Sequence, residues 1–131
     1  MQLSTLLAVV TALASTAAAA PPVSKRSYTP GHCGIHIWQR TQRNNADSVT
    51  FEVKDGEGIR IGLSEGHLAD AQPRTIHSYL PEPIRATQPT KSHNINMEYM
   101  GYKFGSEGGC SIGDWDNGES GLRQWDCGFA C

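Results

Sequence analysis

Apolar and polar residues alternate from Cys33 to Gln42, with Cys33, Ile35 and Ile37 on one face and Gly34, His36 and Trp38 on the other. A period of two predicts a strand with one buried face. Arg40–Asp47 is polar and reads as a turn. Ser48–Lys54 alternates again, with Val49, Phe51 and Val53 directed inward. Asp55-Gly56-Glu57-Gly58 is a turn signal, after which Ile59, Ile61 and Leu63 resume the apolar series. Together these segments predict a β-hairpin.

The middle of the chain is rich in proline. Thr75–Leu80 predicts a short strand and Pro81–Thr90 an extended connection, because proline cannot donate to a ladder. Between Asn94 and Phe104 the apolar set runs Ile95, Met97, Tyr99 and then shifts phase to Met100, Tyr102, Phe104, which predicts a bulge near Gly101. Gly105–Gly109 reads as a turn. Cys110–Trp115 and Trp125–Cys131 read as the last strands, with the polar loop Asp116–Gln124 between them. No segment sustains a helical period. Six or so short strands at this spacing predict an all-β domain, a small antiparallel β-sandwich or barrel.

The amino-terminal residues follow another logic. Residues 1–20 hold no charged side chain, Leu6–Leu13 is an apolar run, and small residues follow from Ala14 to Ala20. This predicts a secretory signal peptide at 1–19, cut after Ala19, since a cut after Ala20 would put Pro21 beside the scissile bond. The run is too short and alanine-rich for a membrane span. Lys25-Arg26 is similar to the dibasic sites cut by kexin-type proteases, so 20–26 is expected to be a pro-segment and 27–131 the single mature β-rich domain. Its removal takes away Lys25 and Arg26 but no acid, which moves the formal charge from −2 to −4. That charge disfavours nucleic acid and anionic membranes as partners.

All four cysteines, Cys33, Cys110, Cys127 and Cys131, fall in the mature part. An even count in a secreted chain predicts disulfides. On an extended strand the Cα atoms of Cys127 and Cys131 would lie about 13 Å apart, too far to bond. The favoured pairings therefore join Cys33 and Cys110 to the C-terminal pair, one bond each, in either order. Either order is expected to close a loop of nearly the whole domain.

Candidate chemistry is sparse. His32 and His36 share a strand face, as two metal ligands would, but no third ligand follows at a matching spacing. Asp114, Asp116 and Glu119 form an acidic loop that could hold Ca²⁺, although it departs from the EF-hand pattern and Asn117-Gly118 is an ordinary turn pair. No cofactor is expected. A ribonuclease would need a carboxylate, a histidine and an arginine, for which Glu98, His77 and Arg85 are available. There is no G-x-S-x-G elbow and no phosphate-binding loop. Trp38, Trp115 and Trp125 are expected to pack in the core or in a second layer.

The two ends of the domain carry a resemblance. His32-Cys33-Gly34-Ile35-His36-Ile37, Cys110-Ser111-Ile112-Gly113 and Cys127-Gly128-Phe129-Ala130-Cys131 resemble small secreted cysteine-containing fungal effector-like proteins that open with C-G-x-H and end in C-G-F-x-C. The proline-rich middle does not fit that pattern. The resemblance implies secretion to the host apoplast or host interface, a β-rich disulfide-bonded domain, and no catalytic residues to transfer. The expected function is a virulence protein, not an enzyme. As a monomer it would bind a host protein or cell-wall component and modulate plant immunity, with no membrane contact after signal removal. The alternatives are an antimicrobial or killer-type toxin and a small secreted ribonuclease.

Overall fold

The computed structural model describes residues 28–41, 46–69, 71–90 and 92–131. The expected signal peptide, pro-segment and processing residues Ala19, Lys25 and Arg26 lie outside them. The described residues form nine strands: β1 (His32–Arg40), β2 (Asp47–Lys54), β3 (Arg60–Leu68), β4 (Arg74–Ile76), β5 (Ile84–Thr87), β6 (Asn96–Tyr99), β7 (Tyr102–Gly105), β8 (Cys110–Ile112) and β9 (Leu122–Ala130). They pair antiparallel into a five-stranded sheet, β3-β2-β1-β9-β8, and a four-stranded sheet, β4-β5-β6-β7. The two sheets share one core, to which the first gives Ile35, Phe51 and Trp125 and the second Ile84, Met97 and Tyr99. Neither sheet closes on itself, so the all-β fold is a sandwich and not a barrel.

β1 is the centre of the larger sheet, paired along its length with β9 on one side and β2 on the other. The alternation read from sequence holds: Cys33, Ile35, Ile37, Val49, Phe51 and Val53 are buried. It also runs beyond the apolar residues, placing Gln39 and Asp47 in the interior. Arg40–Asp47 is thus not all turn, since Arg40 ends β1 and Asp47 begins β2.

The expected apolar face of β3 is wrong. The register shifts between Val53 and Lys54, and thereafter Val53, Phe51 and Val49 face Gly62, Ser64 and Gly66. A one-residue shift exchanges the two faces of a strand. Ile61 is buried, while Ile59 and Leu63 stay 56% and 49% exposed. The small inward residues admit Arg74 from β4. Its guanidinium lies against Gly66, where any β-carbon would overlap it, and donates to Ser64 Oγ at 3.0 Å and to the Glu65 carbonyl.

The smaller sheet contains two further corrections. Pro81–Thr90 is not an unpaired connection, because β5 lies inside it and pairs with both β4 and β6. Pro81, Pro83 and Pro89 flank this four-residue strand instead of interrupting it. The phase change after Tyr99 is not a bulge. Tyr99 pairs with Tyr102 across a two-residue turn, Met100-Gly101, with φ of 49° and 85°. Positive φ at both positions is the type I′ hairpin, whose twist suits the flanking strands. The strand expected over Thr75–Leu80 is confined to Arg74–Ile76, and β9 starts at Leu122, inside the expected polar loop.

Two disulfides staple the larger sheet: Cys33–Cys131 and Cys110–Cys127. The first spans 98 residues. The second spans only 17, so the loop of nearly the whole domain is the one closed by the first. Cys110 and Cys127 are direct cross-strand partners on β8 and β9, which explains the short loop.

Candidate functional site

Alternation gives each sheet an outer face, and a cleft is lined in part by that of the smaller sheet. Ile84, Ala86, Met97 and Phe104 point to the core. Their neighbours point outward, and register aligns Arg85, Glu98 and Lys103 in one row across β5, β6 and β7. Thr87 and Asn96 pair in the next row. These side chains line the cleft, about 670 Å³ in volume, and it continues past the edge strand β7 to Tyr102, which shares the core-facing side of Tyr99 and Phe104, and to the Gly105–Gly109 turn. That volume lies within the range of small-ligand sites. The row alternates basic, acidic, basic, yet none of its three members forms an ion pair or side-chain hydrogen bond with another described residue. Glu98 is half-buried and Arg85 and Lys103 are exposed. The turn is held by Gly105 and Gly108, which exchange backbone hydrogen bonds, and by Ser106, which donates to Asn96 Oδ1.

A second cluster sits at the end of the sandwich where β1, β2 and β9 meet the β5–β6 connection. The Asp47 carboxylate, fully buried, accepts from Gln39 Nε2 at 2.6 Å, Gln88 Nε2 at 3.0 Å and His93 Nδ1 at 2.9 Å. Gln39 Oε1 accepts from Trp125 Nε1 and Arg123 Nε, both at 2.8 Å. Arg123 also donates to the His93 carbonyl and lies over the Trp115 ring, 4.2 Å from its centre. Burial lowers the Arg123 pKa and the nearby Asp47 charge opposes that shift. An aspartate that orients a histidine recurs in hydrolases, where the ring acts on a nucleophile. Ser92, beside His93, has its hydroxyl engaged as acceptor from the Asn94 N–H. The cluster's evident work is to tie the smaller sheet's connection to the larger sheet.

The residues singled out from sequence scatter over the molecule. His32 and His36 share a face, but His36 bonds Asp126 through Nδ1 (2.5 Å) and Gln124 through Nε2 (2.8 Å). Asp116 accepts from the Leu122 N–H at 2.9 Å, inside a turn closed by bridges Trp115↔Gly118 and Asn117↔Ser120. Among the described residues no three histidine, cysteine or acidic side chains converge as a metal site would require, Asp114 and Glu119 included. Arg85 and Glu98 are brought together, while His77 lines a separate hollow with Arg60, Leu63 and Tyr79. Trp125 is core, Trp115 packs beneath Arg123, and Trp38 is half-buried on the outer face of β1 against His36.

Sequence reasoning missed Thr87, Asn96 and Lys103 in the cleft and the whole Asp47 cluster. Gln39 and Asp47 carried a usable signal, because each continues the inward parity of its strand. No family model, no curated protein and no solved structure matches the chain.

Proposed function

We propose that this is a secreted, effector-like protein that binds a host or cell-wall component without catalysis, and that the cleft on the smaller sheet is its binding surface. The observation that carries this reading is the Arg85–Glu98–Lys103 row, three charged groups that pair with no other described residue and together line the cleft. Cross-strand charges of opposite sign normally favour one another. Here their hydrogen-bonding capacity is left for a ligand.

The disulfides support an extracellular life. Both disulfides are compatible with an oxidising compartment. No described helix is long and apolar enough to cross a membrane. A cut after Arg26 would also spare the domain's first contacts, in which Thr29 donates to Asp55 and accepts from the Gly56 N–H. The virulence role, with plant immunity as its target, follows from the resemblance of the two ends of the domain. Separation of His77 from Arg85 and Glu98 weighs against the ribonuclease alternative.

The test is retention of the secreted protein on insoluble plant cell wall and on apoplastic proteins of the host. Arg85→Ala and Glu98→Gln are expected to reduce retention by about tenfold each, the effect of losing one hydrogen bond to a charged group. RNA and wall polysaccharide should come through the incubation intact. Equal retention of both variants, or turnover of either polymer, would overturn the reading.

A further inference from the structure

We infer that the cleft takes a neutral oligosaccharide. This deepens the binding reading above and rests on it. Three observations define the ligand. First, the charges lining the cleft balance, with Arg85 and Lys103 against Glu98 and Glu107. A balanced lining offers no net attraction to a phosphate or polyanion, and the mature chain's overall −4 adds repulsion. Second, the polar groups alternate donor and acceptor: a guanidinium, a carboxylate and an ammonium in one row, a hydroxyl and an amide in the next. A hydroxyl group both donates and accepts, so a chain of adjacent hydroxyls matches such a row, whereas a hydrocarbon or a peptide side chain does not.

Third, one aromatic ring is fixed at the β7 rim of the cleft, on the core-facing side of that edge strand, and remains open to solvent. Tyr102 is 49% exposed. It stacks on Phe104 (5.6 Å between centres, 20° between planes), which stacks on Phe129 (5.0 Å, 13°). Phe104 and Phe129 are buried, so the ladder runs from the core to the surface and anchors its last ring. An exposed, immobilised aromatic face is a platform for the apolar C–H face of a sugar ring, with the phenol hydroxyl as a polar handle. An extended peptide would instead need apolar pockets for alternate side chains. Met97 and Phe104, which also line the cleft, are turned to the core and buried.

The experiment is calorimetric titration of the secreted protein with cello-, xylo- and chito-oligosaccharides, and with an oligogalacturonate as the charged comparison. At least one neutral oligomer is expected to bind, with an affinity unchanged on going from low to physiological salt. Glu98→Gln and Tyr102→Ala should each weaken it by about tenfold, and Tyr102→Phe should restore most of the affinity. Circular dichroism of each variant would show that the fold is intact. Binding of the oligogalacturonate alone, with strong salt dependence, would overturn the inference. So would wall or host-protein retention that depends on Arg85 and Glu98 without affinity for any neutral oligomer, a result that leaves the cleft as a binding surface of another specificity. Retention insensitive to both residues would remove the binding reading itself.

Discussion

Asp55 does the work of several residues. Its carboxylate accepts from the backbone N–H groups of Thr29 at 3.0 Å, Glu57 at 2.9 Å and Ile59 at 3.0 Å, which closes the β2–β3 turn and pins the start of the domain to it. The Thr29 bond, followed by those from the turn, holds its pKa below the ordinary 3.8 against the opposing effect of burial. A lowered folded value means that the stabilisation is complete above the unfolded value and is lost as pH falls through the folded one. Asp55→Ala is therefore expected to lower the urea midpoint at neutral pH, and the gap from wild type should narrow on acidification below 3.8. A constant gap across that range would assign its role to packing. Met100 tells the opposite story, a residue ill-suited to its place. It holds φ of 49° with a bulky side chain, 71% exposed, where Asn is the favoured choice. Met100→Asn should stabilise the protein by about 0.5–1 kcal/mol in urea denaturation.

Between elements, the Asp47 cluster ties the two sheets together, while the two disulfides reinforce strands already paired, β1 with the end of β9 and β8 with β9. Asp47→Ala would take one of two acceptors from each of the buried Gln39 and Gln88 amides and release the His93 ring, while the His93 carbonyl stays tied to Gln39 and Arg123. A loss of about 3 kcal/mol is expected, measured by chemical denaturation. The disulfides should rank by loop length. Replacing Cys33 and Cys131 by serine is expected to cost about 4–5 kcal/mol, and Cys110 and Cys127 about 3 kcal/mol. The reverse order would mean that Cys110–Cys127 stabilises the β8–β9 edge beyond its loop entropy. Legibility followed the same division. β1 and β2 could be read because their alternation is unbroken and both are buried on one face. β3 could not, because a single bulge reverses its phase and its inward residues are Gly62, Ser64 and Gly66, which carry no hydrophobic signal. β5 was hidden by its flanking prolines, whose meaning depends on where the four-residue strand begins.

For the whole molecule, the two sheets divide the labour. The larger sheet carries both disulfides and most of the long strands, and its paired His36, Gln124 and Asp126 leave little polar capacity on that part of its face. The smaller sheet, short-stranded and backed by the common core, presents the cleft. The candidate site was only half legible. Arg85 and Glu98 stand out as chemically useful residues, but their neighbourhood depends on β5–β6 register, and that of Lys103 depends on the type I′ turn at Met100-Gly101. Residue types alone grouped Arg85 and Glu98 with His77, which lines a separate hollow with Arg60, Leu63 and Tyr79. The claim that recognition resides on the outer face of β5–β7 is tested most directly by amide chemical-shift mapping of the ¹⁵N-labelled secreted protein, titrated with solubilised cell-wall oligosaccharides. Saturable shifts are expected to cluster at Arg85, Thr87, Asn96, Glu98 and Lys103, with saturation at about tenfold higher ligand concentration in Glu98→Gln. Shifts centred on His36 and Trp38 of the larger sheet, or on His93 and Trp115, with the β5–β7 face silent, would contradict it.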